Sequence, residues 1–327
     1  MINYSVKAKM ALWRRLWILL LALCGMAQAA PLVLEPVQVS KHVWFFQGSA
    51  GMASQANKGF MSNAGFVVTG DGVVVFDALA TPALGEAMVN AIRKVSKQPI
   101  RRVILSHYHA DHFYGLQPLK AQGAEVWAHE KGRATLESDD TKRRFEQRVT
   151  DLAPWVGRDT RLVPADRWLA LPRGGEERFT MGGLHFRVLD ASGAHSPEDI
   201  MLYVEEDRLL FAGDLFATGR IPFVGNADSA RWLLTLEQML ATKPAIVIPG
   251  HGASSRAPER DMMFTREYLQ YLRKTMGEAV ANMASFDDAY AATDWSRFKD
   301  YPAFEQANRI NAYGTYLRME QESLATE

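Results

Sequence analysis

The chain has 327 residues, of which 48% are hydrophobic and 23% are charged. This length allows one large domain or two small ones, and the composition excludes a disordered chain, a collagen-like repeat and a multi-span membrane protein. Basic and acidic residues both number 37, so the formal charge is zero, which gives no electrostatic reason to expect a nucleic acid partner.

The first 30 residues have the pattern of a secretory signal peptide. They contain four basic and no acidic residues, and an apolar run from Leu16 to Met26 precedes Ala27-Gln28-Ala29. This order predicts an exported precursor cleaved near Ala29 or Ala30, giving a periplasmic or secreted protein. A membrane-spanning helix needs about 20 apolar residues, so no permanent anchor is expected. Cleavage would remove the one cysteine, Cys24, and leave catalysis to His, Asp, Glu and Ser.

The first half of the remaining chain predicts strands interleaved with helices. Gly70-Asp71-Gly72 is a hairpin turn signal between two of the strands. The strands are predicted at Val43–Gln47, Ala64–Thr69, Val73–Asp77, Ile100–Leu105 and Glu125–Ala128, and the helices at Pro82–Lys97 and Glu130–Val149.

The second half opens with an irregular crossover, because Leu152–Pro172 contains prolines and little periodicity. Strands are then predicted at Glu177–Met181, Leu184–Asp190, Met201–Val204, Arg208–Ala212 and Ala245–Pro249, and helices at Asp228–Leu240, Glu259–Met283 and Ala303–Glu322. This pattern favours an α/β fold with two mixed sheets packed face to face and helices outside. We predict one domain over residues 31–327, with a helical C-terminal extension from about residue 255.

The strongest functional signal is the segment from Ser106 to His112, which contains three histidines and one aspartate directly after a predicted strand. Alternate residues of an extended segment point the same way, so His107 and His109 can converge on one ion. If the chain then turns into a helix, Asp111 and His112 can face a second ion. Three of the eight histidines of the chain lie in this segment, which argues against a polar loop that contains them by chance.

Three later residues complete a possible two-metal site. His195, Asp214 and His251 each follow a predicted strand and lie close to glycine, which lets the backbone turn sharply. We predict that His107, His109 and His195 hold one ion, that Asp111, His112 and His251 hold the other, and that Asp214 bridges them. Imidazole and carboxylate ligands suit zinc, and an open position for water on each ion is typical of a catalytic site.

The ordered set from His107 to His251 resembles the metallo-β-lactamase-fold hydrolase superfamily. Val74-Val75-Phe76-Asp77 is similar to the first motif of that family, whose aspartate supports the metal-binding loop by hydrogen bonds without touching the ion; a helix-capping role for Asp77 is the alternative. The resemblance extends from about Val43 to Gly252. It implies an αβ/βα four-layer sandwich with a dinuclear site at one edge.

The resemblance leaves several branches of the family open. An aspartate at Asp214 is similar to the glyoxalase II, lactonase and general hydrolase branches, whereas several β-lactamases have cysteine there. A C-terminal glutathione-binding segment is not evident, which argues against glyoxalase II. The signal peptide favours the exported members, which include true lactamases and zinc metallohydrolases associated with quinoprotein and sulfur-oxidation systems.

The resemblance therefore predicts an exported hydrolase with two zinc ions per chain, iron being the alternative metal. A metal-bridging hydroxide is expected to attack an ester, lactone, thioester or β-lactam amide of a small-molecule substrate. Asp111 and Asp214 are the predicted catalytic residues, Asp111 orienting the hydroxide and helping to move a proton. Two rival functions stay open: a mononuclear iron persulfide dioxygenase on the same fold, and a non-enzymatic metal-binding accessory protein.

Residues outside the predicted metal site are interpreted without a role in metal binding. His129 and His185 are expected to be packed or surface histidines. The segment Gly48–Ser62 is either a mobile flap or a plain surface loop, and the charged run Lys142–Arg148 is expected to be a solvated helix face.

Overall fold

Two β-sheets form the centre of this computed structural model, which describes residues 32–325. Residues from Val33 onward belong to one unit. The predicted signal peptide, residues 1–30, lies outside the described residues, so the cleavage site and the export remain predictions. None of the helices in the described part has the length and hydrophobicity of a membrane-crossing segment.

The first sheet has seven strands that lie in chain order from edge to edge. They are β1 (Val37–Gln38), β2 (Val43–Phe46), β3 (Ala64–Val68), β4 (Val73–Phe76), β5 (Ile100–Ile104), β6 (Glu125–His129) and β7 (Arg167–Leu169). Strands β1 to β4 pair antiparallel, and β4 to β7 pair parallel. The predicted hairpin is confirmed, since β3 and β4 are antiparallel neighbours on either side of Gly70-Asp71-Gly72.

The second sheet has five strands in the order β12-β11-β10-β9-β8. They are β8 (Glu176–Met181), β9 (Leu184–Asp190), β10 (Ile200–Val204), β11 (Leu209–Phe211) and β12 (Ile246–Ile248). Strands β8 to β11 pair antiparallel, whereas β11 and β12 are parallel. Both sheets are therefore mixed, as predicted.

The core between the sheets is built from β-branched and aromatic side chains of both. Phe76 at the end of β4 stacks on Phe211 at the end of β11, with ring centroids 5.2 Å apart. Val74 and Ile104 of the first sheet and Val188 of the second belong to the same buried cluster. Burial of such apolar area stabilises the fold by about 25 cal/mol per Å². The contact holds the ends of β4 and β11 together.

Helices cover the outer faces and complete the predicted αβ/βα four-layer sandwich. They are α1 (Pro82–Val95), α2 (Ala110–Phe113), α3 (Leu116–Lys120), α4 (Gly132–Glu137), α5 (Asp139–Asp151), α6 (Ser229–Ala241), α7 (Pro258–Ala281), α8 (Phe286–Ala292) and α9 (Phe304–Leu324). Trp232 of α6 and Tyr268 of α7 lie in a second buried cluster with Leu210 and Val247, on the face of the second sheet away from the first. The helices of the predicted C-terminal extension therefore pack on this sheet.

Three details of the predicted elements were wrong. The helix expected over Glu130–Val149 is broken at Ser138, which ends α4 and caps α5 by accepting a hydrogen bond from Thr141 N at 3.1 Å. The irregular crossover contains β7, which pairs with β6. The short helices α3 and α8 were not predicted, because segments of five and seven residues carry little periodic signal.

Candidate metal centre

The seven predicted ligands lie in four segments, each of which follows a β-strand. His107 and His109 lie in the loop after β5, and Asp111 and His112 lie in α2, which begins at the end of that loop. The loops after β9, β11 and β12 carry the remaining three, His195, Asp214 and His251. Strands β9, β11 and β12 run in the same direction, so their carboxyl ends meet at one edge of the second sheet. The structure brings all seven side chains together at that edge.

The first ligand group contains three histidines and Asp214. His109 Nδ1 and His195 Nε2 are 3.1 Å apart. Asp214 Oδ2 is 3.5 Å from His195 Nε2 and 3.9 Å from His107 Nε2. One donor atom of each residue lies within 4.8 Å of the others. Because zinc binds its ligands at about 2.0–2.2 Å, donor atoms around one ion are separated by distances of this size.

The second ligand group contains Asp111, His112 and His251. Asp111 Oδ2 is 3.5 Å from His112 Nε2 and 3.4 Å from His251 Nε2. These donor atoms also meet the 4.8 Å spacing. The two groups have the membership that the sequence predicts.

Asp214 faces both groups with different oxygens. Its Oδ1 is 3.1 Å from His112 Nε2 and 3.3 Å from His251 Nε2, in the second group. Its Oδ2 faces His195 and His107, in the first group. This geometry is the one that a bridging carboxylate requires.

The donor atoms themselves indicate that a cation fits between them. His107 Nε2 is fully buried and has no hydrogen-bond partner within residues 32–325, whereas His112 Nε2 and Asp214 Oδ1, also buried, lie 3.1 Å from each other. A buried polar atom without a partner costs about 1–3 kcal/mol. Ligation would satisfy His107 Nε2, and imidazole nitrogen with carboxylate oxygen is the donor set that zinc takes.

Protonation also favours a cation at the first group. Burial lowers the pKa of His107, His109 and His195, in the case of His109 to about 3. These rings are therefore neutral at pH 7, and each keeps a lone pair for a ligand.

The second group is dominated by attraction between opposite charges. Burial acts to lower the pKa of His112, but Asp214, Asp111 and Asp77 outweigh it and raise that pKa well above the ordinary value. Burial acts to raise the pKa of Asp214, yet His251 and His112 hold it well below its usual range. Burial likewise acts to raise the pKa of Asp111, and His112 and His251 outweigh it and lower that pKa. Both carboxylates that face the site are therefore ionised at neutral pH.

Asp77 lies directly behind the ligands. Its Oδ1 accepts a hydrogen bond from Ser106 N at 2.7 Å, and its Oδ2 lies 2.8 Å from both Ser106 Oγ and His112 Nδ1. Asp77 adopts a left-handed φ of 61°, which aspartate tolerates better than most residues. The alternative capping role is wrong, since Thr81 caps α1.

Sequence reasoning missed a second support, Asn63. Asn63 Nδ2 donates hydrogen bonds to Pro249 O and Gly252 O, both at 2.8 Å, and so holds the loop that carries His251 from both sides. Its neighbour Ser62 donates to the backbone carbonyl of Asp111. Neither residue belongs to a motif, and no signal in the sequence identifies them.

Gly250 allows the two loops on the second sheet to approach each other. A Cβ added at Gly250 would lie 2.0 Å from Asp214 Oδ1 and 2.7 Å from the backbone carbon of Gly213. This close approach, and not the sharp turn expected from the sequence, accounts for glycine at position 250.

The other histidines lie outside the two groups. His185 contacts Glu206 with Nδ1 2.6 Å from its carboxylate, and His42 contacts Asp207 at 2.7 Å. His129 is buried, with Nε2 3.5 Å from Asp190.

Two cavities open beside the ligands. The inner one, about 120 Å³, is lined by His109, Asp111, Asp214 and His251 together with Met52, Met61, Arg144, Arg148, Arg220 and Phe223. The larger one, about 750 Å³, shares His109, Arg144 and Phe223 with it and also contacts His195 and Ile310. Met52 and Met61 place the segment Gly48–Ser62 at the inner cavity; whether it moves stays a hypothesis.

Comparisons with known proteins agree with this geometry. The family model of the metallo-beta-lactamase superfamily matches residues 57–251, more than half of the chain. A linear primary-alkylsulfatase of Pseudomonas sp. is 20% identical over 62% of this chain, which spans only 44% of that protein. A type 2 metallo-beta-lactamase of Bacteroides fragilis is 22% identical over 65% of this chain and 78% of its own length.

Solved structures show the same fold. A metallo-beta-lactamase from Pontibacter korlensis superimposes with a TM-score of 0.57 at 21% identity, covering 72% of this chain and 99% of that one. The sec-alkylsulfatase Pisa1 from Pseudomonas sp. superimposes with a TM-score of 0.68 at 17% identity, covering 87% of this chain and 50% of that one. From the family model and the sandwich fold, we conclude that the chain belongs to the metallo-beta-lactamase superfamily.

Proposed function

We propose that the protein is an exported hydrolase that uses two zinc ions to cleave a carbonyl-based bond in a small molecule. The observation that carries the proposal is the position of Asp214, whose two oxygens face two complete ligand groups. Export rests on the sequence of residues 1–30 alone.

The protein side chains have distinct roles in the proposed reaction. His107, His109 and His195 would hold one zinc ion, Asp111, His112 and His251 the other, with Asp214 between them. When bound, the pair of ions supplies a water that is acidic enough to ionise near pH 7 and a Lewis acid for the substrate carbonyl.

Asp111 is placed to move a proton. Its side chain is 19% exposed, whereas that of Asp214 is 9% exposed, and it lines the inner cavity. A carboxylate at this position can orient the attacking water, take the proton that this water loses and pass it to the leaving group. The apolar wall at Met52, Met61 and Phe223 would keep bulk water away from the reacting bond.

The two rival functions differ from this proposal in metal content. A mononuclear iron dioxygenase needs two histidines and one carboxylate, which would leave the second group without a purpose. The complete second group therefore supports two ions and hydrolysis. The same group also argues against a non-enzymatic accessory protein, because such a protein does not need two complete sets of metal ligands.

The test combines metal analysis with a hydrolysis panel. Purified protein is analysed for zinc and iron, then assayed with a β-lactam, a lactone, a thioester and, because of the alkylsulfatase relatives, a primary alkyl sulfate. We expect two zinc per chain and turnover that chelation abolishes and zinc restores. His109→Ala should abolish turnover, whereas His185→Ala, at a surface histidine outside the site, should not change it.

One iron per chain with oxygen consumption would establish the rival dioxygenase. Turnover that His109→Ala leaves unchanged would refute the proposed role of the site.

A further inference from the structure

Both cavities beside the candidate metal centre are lined by residues of α5 and of α9. From α5, Arg144 lines both, so the expected solvated face of Lys142–Arg148 is wrong at this residue. From α9, Ala307 lines the inner cavity and Ile310 the larger one. The family match ends at residue 251, whereas α9 begins at Phe304. Part of the wall of each cavity therefore comes from a region of the chain outside the family match.

The segment of residues 221–227, here called the wall loop, contributes further to both cavities. Phe223 lines both of them, Pro222 lines the inner one, and Val224 and Gly225 line the larger one. The wall loop contains neither helix nor strand. Its backbone polar groups therefore need hydrogen-bond partners from elsewhere in the protein.

The side chain of Asn311, on α9, provides partners for three of these backbone groups. Its Oδ1 accepts hydrogen bonds from Val224 N at 2.8 Å and from Gly225 N at 3.1 Å. Its Nδ2 donates to Pro222 O at 2.8 Å. Because Asn311 is fully buried, water does not replace it, and the shape of the wall loop depends on this one amide.

The last hydrogen-bonding position of the Asn311 amide is also used. Its Nδ2 donates a second hydrogen bond to the hydroxyl of Tyr268 at 2.9 Å. An amide group has two donor hydrogens and an oxygen that accepts twice, so the capacity of Asn311 is complete. Asn308, one turn earlier on α9, is equally buried but bonds Tyr268 and Tyr290 instead of the wall loop.

The wall loop also lies directly on the backbone of α9. A Cβ added at Gly314 would lie 1.8 Å from Gly225 O, so only glycine permits this contact. Gly225 itself has a left-handed φ of 48°. At the start of the loop, Ile221 N donates to Pro302 O at 3.0 Å, just before α9.

The two cavities can be assigned to different parts of the proposed substrate. Asp111, which passes a proton to the leaving group in the proposed reaction, lines the inner cavity and not the larger one. The leaving group therefore belongs in the inner cavity, and the acyl group in the larger one, against Phe223 and Ile310. The volume of the larger cavity, about 750 Å³, is within the range of small-molecule sites, about 300–1,000 Å³.

We infer that Asn311 is a positioning residue, which holds the wall loop against α9 and so determines the size of the acyl group that the larger cavity accepts. This inference rests on the proposed function, because it concerns the substrate of the same site. Asn311 contacts no metal ligand among its hydrogen-bond partners and acts on the substrate only through the wall loop.

The kinetic test uses two neutral esters with the same leaving group, 4-nitrophenyl acetate and 4-nitrophenyl hexanoate, and the zinc-loaded full chain. Asn311→Ala should lower kcat/KM for the hexanoate by about tenfold or more, since a displacement of about 1 Å can cost up to 10²-fold. The loss should lie in KM, as expected for a binding contact. The acetate, whose acyl group is too short to reach the wall loop, should stay within about twofold.

Asn308→Ala is the matched control, because it removes an equally buried amide from the same helix without touching the wall loop. It should leave the ratio of kcat/KM for the two esters unchanged. An equal loss for both esters in Asn311→Ala, or the same change of ratio in Asn308→Ala, would overturn the inference.

A second variant tests the same wall without altering a buried residue. Ile310 is 52% exposed, so Ile310→Trp should fold normally, narrow the larger cavity and selectively lower kcat/KM for the hexanoate. Leu317→Trp is its control, since Leu317 is exposed two turns further along α9 and lines neither cavity. The same effect in both tryptophan variants would contradict the role of α9 as a wall of the site.

Hydrogen exchange separates this inference from the proposed function. In the zinc-loaded protein, the amides of Val224 and Gly225 should exchange about tenfold or more faster in Asn311→Ala than in the wild type, and not in Asn308→Ala. Mass spectrometry of peptides that span the wall loop measures these rates. Such a difference in a protein that hydrolyses nothing would uphold the role of Asn311 and refute the proposed hydrolase. Hydrolysis with unchanged exchange and unchanged ester preference in Asn311→Ala would do the reverse.

Discussion

At the scale of single residues, the carboxylate of Asp77 orients two histidines. It contacts His112 directly and reaches His107 through Ser106, whose Oγ lies 2.8 Å from His107 Nδ1. A hydrogen bond from one ring nitrogen holds the ring so that the other nitrogen faces the metal position. On His112, whose pKa is raised by the carboxylates around it, a bound metal would replace the proton on Nε2. Both rings therefore present Nε2 to the site.

Asp77→Asn should weaken metal binding while preserving the fold. The substitution replaces one acceptor oxygen by an NH₂ group, which cannot accept the hydrogen bond from His112 Nδ1. Loss of such a supporting contact typically costs 10–100-fold in metal affinity. Competition with a chelator measures this affinity. Asp207→Asn, at the Asp207–His42 contact outside the site, is the control and should leave it unchanged; equal effects of the two would contradict the role of Asp77.

Gly250→Ala should impair the site through shape alone. The new methyl would overlap Asp214 Oδ1, so the loop must move, at a cost of about 1–3 kcal/mol. We expect lower metal affinity and a lower free energy of unfolding. Gly51→Ala, where a Cβ meets nothing within 4 Å, is the matched control. The prediction fails if both variants bind zinc as the wild type does.

The site residues that the sequence predicts most directly are close together along the chain, whereas those that it does not predict are far apart. His107, His109, Asp111 and His112 lie within six positions, so strand and helix periodicity alone predicts two groups. Asn63 and Arg220 reach the site only through tertiary contacts, and no spacing in the chain marks them. Whether the seven residues bind metal stays a prediction.

At the scale of elements, Ser138 divides one polar segment into two helices. Its backbone is extended, which ends α4, while its side chain caps α5. The break redirects α5 and so brings Arg144 and Arg148 to the cavity. Ser138 followed by two aspartates is a recognisable helix start, but the uniformly polar segment hides the boundary. The direction of α5 depends on packing, which the sequence does not reveal.

Ser138→Ala should destabilise the protein by about 1 kcal/mol, the usual cost of losing a capping side chain. Denaturant unfolding measures this change. Ser138→Asp restores an acceptor at the same position and should recover most of the loss. If alanine and aspartate behave alike, the hydrogen bond to Thr141 N is not what stabilises α5.

At the scale of the whole molecule, the ligands come from distant parts of the chain, His107 to His251, and from both sheets. An unfolded chain cannot assemble such a site, so metal binding stabilises only the folded state. The family and the sandwich were predictable because the motifs occur in order along the chain.

Metal removal should therefore lower the melting temperature. Zinc at 100 times its Kd contributes about 2.7 kcal/mol. Thermal unfolding followed by circular dichroism, with and without EDTA, measures the difference, and added zinc should restore it. In Asp214→Ala the effect of EDTA should be much smaller. An unchanged melting temperature in the wild type after complete zinc removal would contradict a buried, high-affinity site.

The stacked pair Phe76–Phe211 gains importance from its neighbours along the chain. Asp77 comes directly after one ring, and Asp214 three positions after the other. The side chains of a functional site must be placed to within about 0.5 Å. The contact between the two rings therefore fixes the position of Asp77, on the first sheet, relative to Asp214, on the second. Replacing either ring by a smaller side chain would let the two sheets shift against each other and would lower activity, although no metal ligand is changed.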